Sequence, residues 1–216
     1  MIDLAAVTDF TREAREILRD GSTFQWSTIP LIAFAAYVYA VEVERRRWDI
    51  VLAGLALWAM DWFNELVNSA VLGISDRAAL WTVTGDTSYL ILIGLTIEIS
   101  IFFLVLGPIF VKQLPADPKT RILGIPNRVF LVAAFSAVSA GVEVLLHTSG
   151  YFHWEYWWWN TASLPVIAIL GYATFYAVAA WVYDMGDNRR KQLTVLGTIV
   201  AVDVMLAAGF ALAGWL

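Results

Sequence analysis

Long apolar stretches alternate with short polar ones along the 216 residues of the chain. They run roughly over 28–43, 49–72, 88–111, 129–148, 161–183 and 193–215. Each approaches the ~20 residues that a helix needs to cross a hydrocarbon core about 30 Å thick. Short connections predict antiparallel neighbours. Ahead of these stretches, residues 3–20 place Leu4, Val7, Phe10, Ala14, Ile17 and Leu18 on one side of a helix, with charges mostly opposite and Gly21 as a stop. That pattern predicts an amphipathic helix on the membrane surface or on the bundle. The expected fold is all-α, with a surface helix in 1–22 and a six-helix transmembrane domain over 23–216.

Composition agrees with a lipid solvent. Sixty per cent of residues are hydrophobic (60%), only 15% are charged, and the mean hydropathy is +0.67. Cysteine is absent, which excludes a disulfide framework and thiolate chemistry. A net charge of -5 argues against a nucleic-acid partner. No cleaved signal peptide is expected, because Asp3 and Asp9 stand where a basic leader region would be. Basic residues sort to alternate loops: Arg45, Arg46 and Arg47; Lys112, Lys119, Arg121 and Arg128; Arg189, Arg190 and Lys191. The other short loops hold only Arg77, so the positive-inside rule makes the basic loops cytoplasmic and puts both termini outside a plasma or inner membrane.

Two further patterns carry expectations. "YFHWEYWWWN" (151–160) reads as an interfacial aromatic belt, within which His153 and Glu155 stand out. "GDTSYLILIGL" and "WNTASLPVIAIL" open the third and fifth spans alike, which suggests two duplicated hairpins.

Candidate chemistry enters with "MDWFNELVNS" (Met60 to Ser69). Its Asp61, Asn64, Glu65 and Asn68 recur at i, i+3, i+4 and i+7, one face of a helix. At ~1.5 Å per residue Asp61 and Glu65 lie about 18 and 24 Å above the basic side, and Glu143 and His147 on span four about 21 and 27 Å. Glu98 on span three and Asp203 on span six fall near the midplane. Glu143 and His147 share a face at i, i+4. No lysine or arginine lies within any of these spans to pair the acids, and isolated carboxylates in low dielectric are costly.

Three readings follow. The acids are protonated and hydrogen-bonded within a structural membrane subunit; they relay protons or cations in a coupled transporter or channel; or they ligate metal. The metal reading leads. Carboxylates on several helices plus both histidines match the ligand types of dinuclear carboxylate sites in bundles. The expected ligands are Asp61, Glu65, Glu98, Glu143, His147 and His153, with Glu155 as a further closing group. Asn64, Asn68, Tyr172 and Tyr176 would support them. Mixed oxygen and nitrogen ligation suits iron or manganese, with zinc as an option. Such a site beneath an aromatic loop would oxidise, desaturate or hydrolyse a lipid-like or apolar small molecule taken from membrane lipid. The repeated Glu-x-x-His pairs of soluble dinuclear bundles are missing, as are a Ser-His-Asp set, a P-loop and a dinucleotide fingerprint. Asp203 differs in helical phase and is expected to face a subunit partner or a second copy through span six.

Overall fold

A computed structural model describes residues 7–216. Helices α1 (Asp9–Ile17), α2 (Thr28–Glu44), α3 (Trp48–Ser75), α4 (Ile97–Gln113), α5 (Asn127–Thr148), α6 (Thr161–Tyr183) and α7 (Arg189–Ala213) make up most of the chain. Four of them, α3, α5, α6 and α7, are long and apolar enough to cross a membrane. The remaining two candidates, α2 and α4, have 17 residues each. Leu4, expected on the apolar side of the N-terminal helix, lies outside the described residues.

Helix α3 is the axis of the bundle, packed on by α4, α6 and α7. Its crossing with α4 is close because two glycines meet there. A Cβ on Gly54 would stand 2.7 Å from Pro108 Cδ, and one on Gly107 would stand 2.5 Å from the Gly54 carbonyl oxygen. Around this contact Leu57, Phe110, Tyr176 and Ala179 form the largest apolar core. By contrast, α4 and α5 both pack on α6 yet make no extended contact with each other.

Helix α6 is composite, and its residues explain why. Asn160 caps it, accepting from Ala162 N–H at 2.8 Å while Ser163 Oγ accepts from Asn160 N–H at 2.9 Å. Pro165 follows in the first turns, where a missing N–H is tolerated. Residues Ile167–Tyr172 then widen into a π-helix before regular α-helix resumes.

Among the described residues three two-stranded sheets sit at the ends of the bundle, so the fold is not purely helical. The first joins β1 (Trp81–Val83) to β6 (Phe152–Trp154), antiparallel, with Trp81 opposite Trp154 and Thr82 opposite His153. It binds the two loops into a cap. The second is a hairpin of β2 (Leu90–Leu92) and β3 (Leu95–Thr96). At the other end, β4 (Arg121–Ile122) and β5 (Ile125–Pro126) turn through Leu123 and Gly124, both at positive φ. Helix α1 rests on the cap: Thr8 N–H donates to the Arg77 carbonyl, and the Phe10 ring stacks on His153 at 3.7 Å.

The β2–β3 hairpin corrects the expected third span. Residues 88–96 are not its outer turns; the helix begins only at Ile97, where the Thr96 hydroxyl accepts from Ile99 N–H. A short apolar run reads alike for strand and helix, and tertiary fit decides it here. Gly94 makes the turn against Trp81, where a Cβ would stand 2.3 Å from the indole. The duplicated-hairpin reading falls with it, since one of the two similar segments folds as strands and the other as helix.

Candidate functional site

Between α4 and α5 the missing contact leaves a cavity of about 530 Å³. Its mouth is built from residues that also face outward: Phe34 is 52% exposed, Phe102 53% and Val138 67%. The mouth lies on the flank of the bundle, beside α2, α4 and α5. The walls are Phe103, Phe135, Phe175 and other apolar groups. The closed end lies under the cap, where Trp81, Phe152 and Trp159 line it.

At that end three carboxylates from two helices converge. Asp61, Glu65 and Glu143 all line the cavity and are at least 95% buried, with exposures of 3%, 4% and 5%. The helical period brings Asp61 and Glu65 to one side of α3. Glu143 reaches them from α5, above the small residues Ser136, Ser139 and Ala140.

The groups that hold the acids are neutral. Glu143 accepts from Trp154 Nε1–H at 2.6 Å and from the Tyr172 hydroxyl at 2.5 Å. Glu65 accepts from Trp81 Nε1–H at 2.9 Å through one oxygen. Its Oε2 is buried without a partner, and so is Asp61 Oδ2. Trp159 Nε1–H, on a ring stacked 5.4 Å from Trp81, is also unpartnered. Among the described residues no lysine, arginine or histidine lines the cavity.

Asn68 supports this set through Trp81. Its Oδ1 accepts from Leu80 N–H at 2.7 Å and Trp81 N–H at 3.1 Å, and its amide donates to the Trp81 carbonyl at 2.8 Å. The buried asparagine thus clamps β1 to α3 and aims the indole at Glu65. Asn64 donates to the Gly171 carbonyl at 2.9 Å, tying α3 to the π-helical turn that carries Tyr172. Tyr176 pairs instead with Ser139 at 2.7 Å inside the core.

The remaining expected ligands are placed otherwise. Glu98 sits in the first turn of α4 rather than mid-span. Although it touches the cavity, its carboxylate accepts from the Thr87 hydroxyl and, at 2.8 Å, from Ser88 N–H, which fastens the β2–β3 hairpin. His147 turns its Nδ1 to the Phe152 carbonyl at 3.0 Å and stacks on Trp154 at 4.4 Å. His153, in β6, pairs Nε2 with Thr84 Oγ1 at 2.8 Å. Glu155 accepts from the Thr11 hydroxyl at 3.1 Å and so joins α1 to the cap. Asp203 lies on α7, beyond the face of α3 that carries Trp62 and Leu66, and does not line the cavity. Among the described residues, no group of three or more histidine, aspartate and glutamate side chains is arranged to hold a metal ion.

Sequence reasoning missed Trp81, Trp154 and Trp159. The signal available was the need of a buried indole N–H for an acceptor, set beside acids with no cation.

A protein-family model described as "Uncharacterized membrane protein family" matches residues 8–212. A protein of Archaeoglobus fulgidus named "Uncharacterized protein" is 46% identical over 204 residues, covering 94% of this chain and 96% of the relative. No solved structure matches the chain. With all but the ends of the chain matched, it belongs to this family of integral membrane proteins.

Proposed function

We propose that the protein takes an apolar small molecule from the bilayer through the cleft between α4 and α5 and holds it against Asp61 and Glu65. The observation that carries this reading is the pair of orphaned, buried carboxylate oxygens at the closed end of a laterally open apolar cavity. A buried polar atom without a partner costs about 1–3 kcal/mol, more when charged, so the site favours whatever supplies a donor. In this reading α2 and α4 also cross the membrane, giving six spans. The basic loops are cytoplasmic, and both termini and the β1–β6 cap lie outside.

Roles divide by partner. Glu143, with both oxygens already occupied, fixes Tyr172 and Trp154 around the pocket. Asp61 and Glu65 face the guest. A chain of acids across the bundle does not support the reading, because Asp203 lies behind α3 and Glu98 is committed to its hairpin.

The test is to purify the protein in mild detergent and identify apolar molecules that travel with it by mass spectrometry. Val138→Trp should close the mouth from its lipid-facing side, leaving the core intact. A specific molecule that is retained by the natural protein and lost in Val138→Trp supports the reading. A metal ion held in stoichiometric amount by Asp61, Glu65 and Glu143, with no organic guest, overturns it.

A further inference from the structure

We propose that the guest carries a cationic head, an ammonium on an apolar body, seated against Asp61 and Glu65. This rests on the reading of the cavity as a lipid-accessible binding site. The donor inventory points to it. Glu65 accepts from an indole, the neighbouring Glu143 from an indole and a phenol, and Asp61 Oδ2 from nothing, so among the described residues no side chain supplies positive charge here. Two buried acids one helical turn apart stay uncompensated until protons or a cation arrive.

An ammonium answers both needs at once. Its N–H groups meet Asp61 Oδ2 and Glu65 Oε2, and charge-assisted bonds of this type are the strong ones. Trp81 and Trp159 line the same end of the cavity, stacked on each other, and give the head flat apolar neighbours. The Phe-rich walls accept the tail, and the volume lies within the range of sites for drug-sized molecules. By the same charge argument fatty acids and other anionic amphiphiles are turned away.

Dodecylamine, dodecanol and dodecanoate share one tail and differ in the head, so their binding to the full-length protein in lipid nanodiscs separates the possibilities. Dodecylamine should bind at least about tenfold tighter than dodecanol, equivalent to about 1.4 kcal/mol. Dodecanoate should not bind above empty nanodiscs. Proton release should accompany the amine and not the alcohol. Asp61→Asn and Glu65→Gln, nearly isosteric, should each bring the amine down toward the alcohol. Asp203→Asn, which removes an acid that does not line the cavity, should preserve the preference. Equal binding of amine and alcohol, both lost in Val138→Trp, overturns the cationic head and leaves the lipid-accessible site standing. Binding of neither, or binding indifferent to Val138→Trp, overturns the site itself. Displacement of the amine by manganese or zinc at stoichiometric concentration assigns the acids to metal and overturns the organic cation.

Discussion

Near the basic loops, Glu42 on α2 is buried and meets Lys112 at 2.8 Å, while Arg128 holds both oxygens of Asp184 at 2.6–3.2 Å. Under the β1–β6 cap, Asp61, Glu65 and Glu143 are as deeply buried; Glu65 and Glu143 meet only indoles and a phenol, and Asp61 Oδ2 meets no donor. The two ends of one bundle therefore treat carboxylates oppositely. Where an acid joins helix ends, a cation sits opposite it and its charge is spent on architecture. Where acids face the cavity, neutral donors orient them and leave capacity for something that is not part of the chain. Burial alone does not separate the two kinds; the missing cation does.

If the capped end is held by neutral clamps, removing one should cost more than removing an ion pair at the other end. Asn68→Ala deletes three buried hydrogen bonds and strands Leu80 N–H, Trp81 N–H and the Trp81 carbonyl. The expected loss is on the order of 3 kcal/mol, seen as a lower unfolding temperature in detergent. The indole that orients Glu65 should become mobile as well, so ligand binding should weaken in the same variant. Asn68→Asp, which keeps the acceptor but adds a fourth acid, should be no better than alanine.

Lys112→Ala comes next. It leaves Glu42 buried without its cation, and breaking such a pair costs several kcal/mol when both members are buried. Lys112 is about half exposed, so solvent replaces part of the attraction and about 2 kcal/mol is expected. The double variant Lys112→Ala/Glu42→Gln should recover most of it. An equal penalty in single and double variants would mean that the lysine acts through its aliphatic packing, and the contrast between the ends would lose one side.

Legibility followed the same divide. Spans set by long apolar runs with polar flanks, such as 161–183, coincide with their helices, because length and hydropathy suffice. The stripe of Asp61 and Glu65 and the pairing of Glu143 with the same level of the bundle were also readable, since the 3.6-residue period fixes faces within one helix. What periodicity does not carry is contact across a loop. The indole donors to Glu65 and Glu143 lie 16 and 11 residues away in the chain, on strands whose pairing no local pattern announces. His147 looked like a ligand on its helical phase, yet the returning chain at Phe152 and Trp154 takes its ring. Glu98 was placed mid-membrane only because a hairpin of Leu and Ile reads like helix.

Asp61→Asn should move stability little, within about 1 kcal/mol and upward, because it removes an uncompensated acid from a buried site. Binding of the guest should fall in the same protein. A marked fall in unfolding temperature instead would show that Asp61 is held by partners of the chain, like Glu42, and would erase the distinction between the two ends.

The smallest effect belongs to the cap itself. Burial of the His153 ring, with His147 nearby at 6.4 Å, pushes its imidazole below the ordinary value of 6.5, against the opposing pull of Glu13 and Glu155. The undocked state then takes up a proton more readily than the docked one. The sign follows: docking is at full strength above the ordinary value and weakens as pH falls through it toward the lowered one. Because Phe10 of α1 stacks on this ring, the protection of backbone amides in Asp9–Ile17 should drop on acidification while that of α3 stays unchanged. Hydrogen exchange, corrected for the intrinsic pH dependence of amide exchange, reads both in one experiment. His153→Phe keeps a ring for Phe10 and removes the titration, so its α1 protection should be flat over the same range. A natural protein and a His153→Phe variant that loosen alike would take the pH response off His153 and leave its stacking on Phe10 as a packing contact only.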